Sequence, residues 1–92
     1  MKIVLLHLDL TLDGCSSLKE KRSRIAPLRT LGREAGLAVC EVADHDVLQR
    51  SVWSVVALGT DAGQVDRLCR RVEDFVAERI DGRVADIARE AL

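Results

Sequence analysis

Aromatic residues are almost absent from this 92-residue chain, which contains no tyrosine, one tryptophan and one phenylalanine. Proteins that read single-stranded RNA by stacking usually carry several aromatic side chains on a sheet or in a groove. The composition therefore argues against recognition of bases by stacking. Any contact with RNA would be made to its backbone and its shape.

Cysteine is also scarce. Cys15, Cys40 and Cys69 are odd in number, and no two of them form a Cys-x-x-Cys pair. A disulfide framework needs an even set, and thiolate zinc or copper sites normally use such pairs. We therefore expect reduced thiols and a cytoplasmic protein, with Cys40 and Cys69 as small core residues.

An excess of charge of either sign is missing, since the net charge is −1 with 48% hydrophobic and 32% charged residues. No global field would draw the protein to nucleic acid. The apolar start is interrupted by His7 and Asp9 and lacks a cleavage site, which indicates a strand rather than a signal peptide. No transmembrane run is visible, so we expect one globular domain over residues 1–92 and no membrane contact.

Apolar periodicity predicts four strands. Residues 2–12 alternate, with one wholly apolar face typical of a central strand, made of Val4, Leu6, Leu8, Leu10 and Leu12. Residues 37–43 and the uncharged, valine-rich residues 51–59 favour a second and a third strand. Residues 83–92 favour a fourth.

The first helix is predicted to begin at Ser17, which forms a capping box with Glu20. Its buried stripe would contain Leu18, Ile25, Leu28 and Ala35, and Gly36 would end it as a left-handed cap. Pro27 lies inside this helix and removes one of its hydrogen bonds, so we expect it to bend or split the helix near residues 24–26.

The second helix is predicted to begin at Asp61, a good N-cap residue, and to end at Asp81 and Gly82. Its apolar residues recur at helical spacing over five turns: Val65, Leu68, Cys69, Val72, Val76 and Ile80. The element order is thus β-α-β-β-α-β. With right-handed crossovers it predicts the ferredoxin-like α+β sandwich, a four-stranded antiparallel sheet in the order 4-1-3-2 with both helices on one face.

Positive charge is concentrated around the first helix. Residues 17–35 contain six cations and two acids, a local balance of +4, whereas residues 61–81 have a balance of −2. We predict phosphate contacts from cations over the first two helical turns, where helix amides attract anions, and from one further arginine: Lys19, Lys21, Arg22, Arg24 and Arg50. A solvated helix face and an acidic protein partner remain alternatives.

Other chemically active residues are given structural interpretations. One segment contains residue types that can bind metals: Glu41, Asp44, His45 and Asp46. The sequence has no second histidine or cysteine at ligand spacing from them, so we interpret the segment as a polar connection. His7 is predicted to be half-buried in the sheet, and Cys15 to lie where neighbouring cations depress a thiol pKa but without a partner. We expect no catalytic residue, metal or cofactor.

Several motifs together resemble the YlxP-like family of small bacterial proteins. They are Ser17-Leu-Lys-Glu-Lys-Arg22, Glu41-Val-Ala-Asp-His-Asp46, Leu48-Gln-Arg50 and Thr60-Asp61, and the resemblance spans nearly the whole chain. It implies a ferredoxin-like fold without an established activity. Genes of that family often lie beside those for translation initiation and for ribosome-binding factor A, which implies a role in ribosome assembly.

The resulting expectation is a non-enzymatic protein that contacts ribosomal RNA or a ribosomal particle through its first helix. One alternative is a small-molecule-binding regulatory module of the ACT type, with an effector pocket near Asp13 and Gly14, and another is a protein-protein adaptor that uses the open sheet face. An acylphosphatase-like enzyme is disfavoured because the chain has no asparagine and its first loop has no arginine before the helix.

The sheet face turned away from the helices is predicted to be apolar. Ile3 and Leu5 would meet third-strand residues, either Val52 and Val56 or Trp53 and Val55 depending on the register. Soluble monomers rarely leave such a patch uncovered. The sequence therefore predicts a homodimer formed through the sheet or its edge, with His7 near the contact.

Overall fold

The computed structural model describes all residues from 1 to 92 as a single antiparallel sheet with two helices. The elements in chain order are β1 (Lys2–Thr11), α1 (Leu18–Thr30), a 3₁₀ helix (Leu31–Arg33), β2 (Leu37–Ala43), β3 (Arg50–Gly59), α2 (Ala62–Arg79) and β4 (Arg83–Ala91). The strand order is β2-β3-β1-β4. Read from the other edge this is 4-1-3-2, so the predicted ferredoxin-like arrangement is confirmed.

The core lies between the helices and one face of the sheet. Alternate residues of β1 are fully buried, as its periodicity predicts, namely Leu6, Leu8 and Leu10, and Leu12 just beyond the strand is buried with them. Trp53 and Val55 of β3 lie on the same face. Each such side chain contributes roughly 1.5–3 kcal/mol by leaving water, which makes this layer the main source of stability.

The second helix agrees with its prediction in detail. The Asp61 carboxylate accepts a hydrogen bond from the Gln64 amide at 2.9 Å, so it is the N-cap. The apolar stripe faces the sheet, with Val65, Cys69, Val72 and Val76 buried. The helix ends at Arg79, just before the predicted break.

The first helix begins as predicted but ends earlier. Ser17 Oγ accepts a hydrogen bond from the Glu20 amide at 3.1 Å, whereas the Glu20 carboxylate accepts from Ser16 rather than from Ser17. The α-helix gives way to a 3₁₀ helix at Leu31, and Ala35 is exposed. Leu18 is also 41% exposed, so neither end of the predicted stripe is buried.

Pro27 does not split α1, contrary to one of the two expected outcomes, because the α-helix continues through it to Thr30. Ile25 and Leu28 on either side of Pro27 are buried and hold the helix against the sheet. Packing of this kind compensates for the one backbone hydrogen bond that proline removes. The Thr30 hydroxyl also donates to the Pro27 carbonyl at 2.6 Å.

Gly36 has the predicted left-handed conformation, with φ of +88°, and leads directly into β2. Its carbonyl accepts a hydrogen bond from the Leu58 amide at 2.8 Å, so the turn lies against β3. A Cβ atom at Gly36 would meet the Leu58 carbonyl oxygen at 2.7 Å. Glycine is therefore required there for both its dihedral angles and its size.

Replacement of Gly36 by alanine should destabilise the fold more than the same change at Gly14. Gly14 has φ of +71°, but a Cβ atom there would meet no other atom within 4 Å, so only the left-handed penalty of about 1–2 kcal/mol applies. Gly36→Ala adds a backbone clash to that penalty. Urea denaturation of both variants tests this, and equal losses would contradict the close approach to Leu58.

The β1–β3 register settles which residues occupy the open sheet face. Leu5 pairs with Val56, and His7 pairs with Ser54. Val56 therefore lies beside Leu5 on the open face, and Val52 lies farther along the same face beside Asp9, in agreement with the first of the two predicted registers. Trp53 and Val55 belong to the core instead.

Strand β4 is the least covered element, with only Ile87 partly buried. Arg89 connects it to α2 by donating to Glu73 at 2.8 and 2.9 Å and to Asp66 at 2.8 Å. The hydrogen bonds from Arg89 and Arg70 hold the pKa of the Asp66 carboxyl below its usual value. The strand is thus attached partly by ionic contacts at the rim of the core.

These contacts should make stability sensitive to acid. The pKa of Asp66 is lower in the folded state than in the unfolded chain. Its carboxylate therefore stabilises the fold fully above the ordinary aspartate pKa of about 4, and this stabilisation is lost as pH falls through the pKa of the folded state. Asp66→Asn should therefore lose less stability than the parent protein between about pH 5 and pH 3. Thermal melts across that range check the difference, and parallel curves would show that Asp66 makes no contribution.

Candidate nucleic-acid interface

Lys21, a predicted phosphate contact, is buried, with only 2% of its surface exposed. Its ammonium group donates to the carbonyls of Asp44 at 2.5 Å, Val47 at 2.8 Å and His45 at 3.3 Å. It also lies 3.4 Å from the Glu41 carboxylate. The expectation that Lys21 is solvent-exposed is wrong, because its side chain points inward and holds the β2–β3 connection.

A chain of polar contacts extends from Lys21 into the core. The Glu41 carboxylate accepts a hydrogen bond from the Ser51 hydroxyl at 2.6 Å. That hydroxyl in turn accepts from the Trp53 indole nitrogen at 2.6 Å. Every buried polar side-chain atom has a partner, so this network meets the condition under which buried charge is tolerated.

Arg24 is also engaged within the molecule. Its guanidinium donates to the Asp81 carbonyl at 2.7 Å and to the Asp13 carbonyl at 2.8 Å, and its side chain is only 13% exposed. These bonds join α1 to the β1–α1 loop and to the segment after α2. Arg24 therefore serves as a structural connector at this end of the fold.

Arg50 lies on the face of the sheet that is turned away from α1. It pairs with Thr11 in the β1–β3 ladder and donates two hydrogen bonds to Asp9, at 2.7 and 2.9 Å, on the open sheet face. Asp44 lies 3.3 Å away as a second acid. Arg50 is thus not contiguous with the cations of α1.

The cations that form no ion pair are distributed unevenly. They are Lys2, Lys19, Arg22, Arg29, Arg33, Arg67 and Arg79. Four of them belong to α1 and the 3₁₀ helix that follows it. This region therefore keeps most of the free positive charge of the protein, as its sequence balance predicts.

Three of these residues, Arg22, Arg29 and Arg33, form a row that we call the arginine stripe. With about 100° of rotation per α-helical residue, the spacing of seven brings Arg22 and Arg29 within about 20° of one direction, and Arg33 follows in the 3₁₀ helix. Arg22 and Arg29 line one cavity of about 260 Å³, and Arg29 and Arg33 line a second of about 450 Å³. The stripe runs along the groove between α1 and β2.

Arg29 makes a contact within the protein, since its guanidinium lies 5.3 Å from the centre of the Trp53 ring. Such a cation–π contact contributes about 0.5–1 kcal/mol at an exposed site. Arg29 and Arg33 were not among the predicted contacts. The seven-residue spacing between Arg22 and Arg29 was the signal in the sequence for Arg29, whereas the position of Arg33 depends on the 3₁₀ helix.

The N-terminus of α1 is less available to anions than expected. The Ser17 hydroxyl and the Glu20 carboxylate already accept hydrogen bonds from two amides there, those of Glu20 and Ser16. The negative charge of Glu20 also lies within the first turn. Attraction for phosphate must therefore come from side chains farther along the helix.

Cys15 differs from its prediction. It is buried with 2% of its surface exposed, and burial together with the nearby Glu20 carboxylate raises the pKa of its thiol. His7 is on the open face, with Nε2 3.0 Å from Glu90 and about half of its side chain exposed. Of the segment interpreted as a polar connection, Glu41 belongs to β2 and lies beside Lys21, whereas Asp44 follows β2 and lies beside Arg50.

In the loop proposed for an effector, the polar groups of Asp13 are bound by other residues of the protein. The Asp13 carboxylate accepts hydrogen bonds from Arg83 at 2.6 and 3.1 Å, which lower its pKa. The Asp13 carbonyl accepts a hydrogen bond from Arg24 at 2.8 Å. The polar groups beside Gly14 therefore already have partners.

Fold and motifs define the class of this protein as a small ferredoxin-like α+β domain. The chain belongs to the family described as "Protein of unknown function (DUF503)", which matches residues 3–89. No curated protein matches the sequence. No helix combines the length and the apolar character needed to cross a membrane.

Solved structures share the fold at low sequence identity. A structural-genomics protein, YJCS, aligns with a TM-score of 0.61 and 10% identity over 98% of both chains. SnoaB, a cofactor-independent oxygenase from Streptomyces nogalater, aligns with a TM-score of 0.53 and 13% sequence identity. The alignment covers 99% of this chain and 90% of SnoaB. A hydantoinase/carbamoylase family amidase from Burkholderia ambifaria aligns with a TM-score of 0.53 and 15% sequence identity. The alignment covers 99% of this chain but only 27% of the amidase.

These likenesses define architecture alone. At 10–15% identity, one fold hosts unrelated activities on different side chains. The oxygenase and the amidase therefore assign no reaction to this chain. Its function must be argued from its own surface.

Removal of the buried ammonium should be strongly destabilising. Lys21→Met would leave Glu41 charged in the core and three carbonyls without their donor, and such losses cost about 3–5 kcal/mol. The double variant Lys21→Met with Glu41→Gln should recover part of that loss because no buried charge remains. Urea denaturation of single and double variants measures the recovery, and strictly additive losses would contradict the coupling.

Proposed function

We propose that this protein binds RNA of a ribosomal particle through phosphate contacts from the arginine stripe and Lys19. The observation that carries the proposal is the separation of the cations into two groups. Those of the stripe have no acid partner, whereas Lys21, Arg24 and Arg50 are held by carbonyls and carboxylates. A row of cations without acid partners is better suited to bind a polyanion than to bind a single acidic group.

The geometry favours contact with the backbone over reading of bases. A rise of about 1.5 Å per residue separates Arg22 from Arg29 by about 10 Å, so neighbouring guanidinium groups can reach different phosphates. Trp53 is 1% exposed beneath Arg29 and offers no free ring for stacking. Binding would therefore depend on charge and shape rather than sequence.

The resemblance to the YlxP-like family supports the ribosomal setting, and with it a role in ribosome assembly or translation in the cytoplasm. The proposed role is non-enzymatic. Of the other candidate functions, the ACT-like effector module receives no support from the β1–α1 loop, where Asp13 is engaged by Arg83 and Arg24. An acidic protein partner on the stripe is kept as an outcome of the test below.

Charge reversal within the stripe tests the proposal. The variant Arg22→Glu with Arg33→Glu leaves the Arg29–Trp53 contact intact and should weaken binding to purified bacterial ribosomal subunits. Two lost phosphate contacts should also reduce the slope of log K against log salt by about 1.5. Co-sedimentation from about 50 to 200 mM salt measures both effects.

The matched control is Arg67→Glu with Arg79→Glu on α2. These arginines are exposed and form no ion pair, so the control changes the net charge equally without touching the stripe. It should retain most of the binding, and both variants should melt within a few degrees of the parent. Equal weakening in both variants, or binding that does not respond to salt, would contradict phosphate recognition by the stripe and would favour a protein partner.

A further inference from the structure

We propose that the open face of the sheet is a homodimer interface, covered by the same face of a second copy of this chain. Its large apolar residues are contributed mainly by the two central strands: Ile3, Leu5, Val52, Val56 and Leu58, with Val42 from β2. Leu58 is 39% and Val42 50% exposed. Ile3, Leu5, Val56 and Leu58 are neighbours in the β1–β3 ladder and form one contiguous apolar area, whereas Val52 lies beyond the His7–Ser54 pair. Exposed contiguous apolar surface usually marks an interface.

The size of the face fits a dimer of this small protein. Four strands of seven to ten residues, spaced about 4.8 Å apart with about 3.4 Å per residue, cover about 590 Å². A stable interface buries about 800 Å² on each partner. The face therefore supplies most of the area that a stable dimer requires.

Several charged side chains on this face already have partners within one chain, which lowers the cost of covering them. Asp9 holds Arg50 in a two-point ion pair, and His7 lies 3.0 Å from Glu90. A two-fold axis brings each patch against itself. Asp86, which pairs with Asp9 in the ladder and forms no ion pair, belongs to the outer strand β4 and so lies at the margin of the face. The ion pairs of this face leave it without free cations for a nucleic acid.

The edges of the sheet are poorer candidates for the contact. The β2–β3 pairing is irregular between Glu41 and Ala43, and the β1–β4 pairing is irregular between Asp9 and Leu10. The outer strand β4 also carries four charged residues. Bulges and charges on edge strands prevent strand addition, which directs association to the face.

The decisive variant places a charge at the centre of the apolar area. Sedimentation equilibrium at micromolar concentration should give the parent protein twice its chain mass of 10.1 kDa. Val56→Glu, next to Leu5, should raise the dimer dissociation constant at least tenfold. The control Ala77→Glu, on the exposed side of α2, makes the same change of charge and should remain dimeric.

A thiol reaction on the parent protein gives an independent readout if Val56→Glu fails to fold. Cys40 lies on the open face in the same row as Ser54 and His7, and it is exposed, whereas Cys15 and Cys69 are buried. Its reaction with an aromatic disulfide reagent should slow as protein concentration rises through the dimerisation range. A concentration-independent rate would show that the face stays open.

Two results would overturn the proposal. One is a parent protein that stays at 10.1 kDa over the whole concentration range, which would leave the face to a different partner. The other is a folded Val56→Glu variant that is as dimeric as Ala77→Glu, which would place the interface elsewhere. Binding of ribosomal subunits is not needed for either measurement, so failure here is distinct from failure of the proposed function.

Discussion

The ammonium group of Lys21 is the contact on which the arrangement of this protein depends most. It joins α1 to β2 through Glu41 and fixes the β2–β3 connection through the carbonyls of Asp44, His45 and Val47. Without Lys21, these carbonyl groups would need water molecules as hydrogen-bond donors. One buried charge thus orders three parts of the chain, and its cost of burial is offset only because every one of those partners is present.

The inward direction of Lys21 also sets the direction of the neighbouring cations. At about 100° per residue, Arg22 and Arg29 lie about 100° and 80° around the helix from Lys21, on its flank toward β2. Arg24 lies about 60° away on the opposite flank, where it reaches the loop carbonyls of Asp13 and Asp81. The same orientation of α1 therefore exposes Arg22 and Arg29 and places Arg24 where its guanidinium finds hydrogen-bond acceptors.

Much of the fold could be predicted from the sequence because its signals are periodic. Alternation in β1 and helical spacing in α2 correspond to burial, and the N-caps Ser17 and Asp61 are where the side chains predict them. The early end of α1 could not be predicted in this way. The 3₁₀ helix that begins at Leu31 includes Gly32, a weak helix former, and also packs against β2, a tertiary contact that the helical pattern does not reveal.

The site was harder to predict, although part of its signal was in the sequence. Lys21 falls between Leu18 and Ile25 at the spacing of the buried stripe, and Glu41 follows Leu37 and Val39 on the inward face of β2. Two opposite charges at inward positions indicate a buried pair. The partners of Arg24 and Arg50 carry no such signal, since Asp81 and Asp9 are distant in sequence and only the tertiary fold brings them together.

The two proposed surfaces are compatible because they lie on different sides of one layer. The arginine stripe borders the helical side of the sheet at β2, whereas the homodimer interface is the face that the helices leave open. A dimer formed through the open face would therefore place its two stripes on the outside. Two linked stripes would bind one RNA particle with a higher effective affinity than either alone, provided that phosphates are spaced to meet both. Dimerisation would then strengthen a contact in which each single stripe supplies only a few charges.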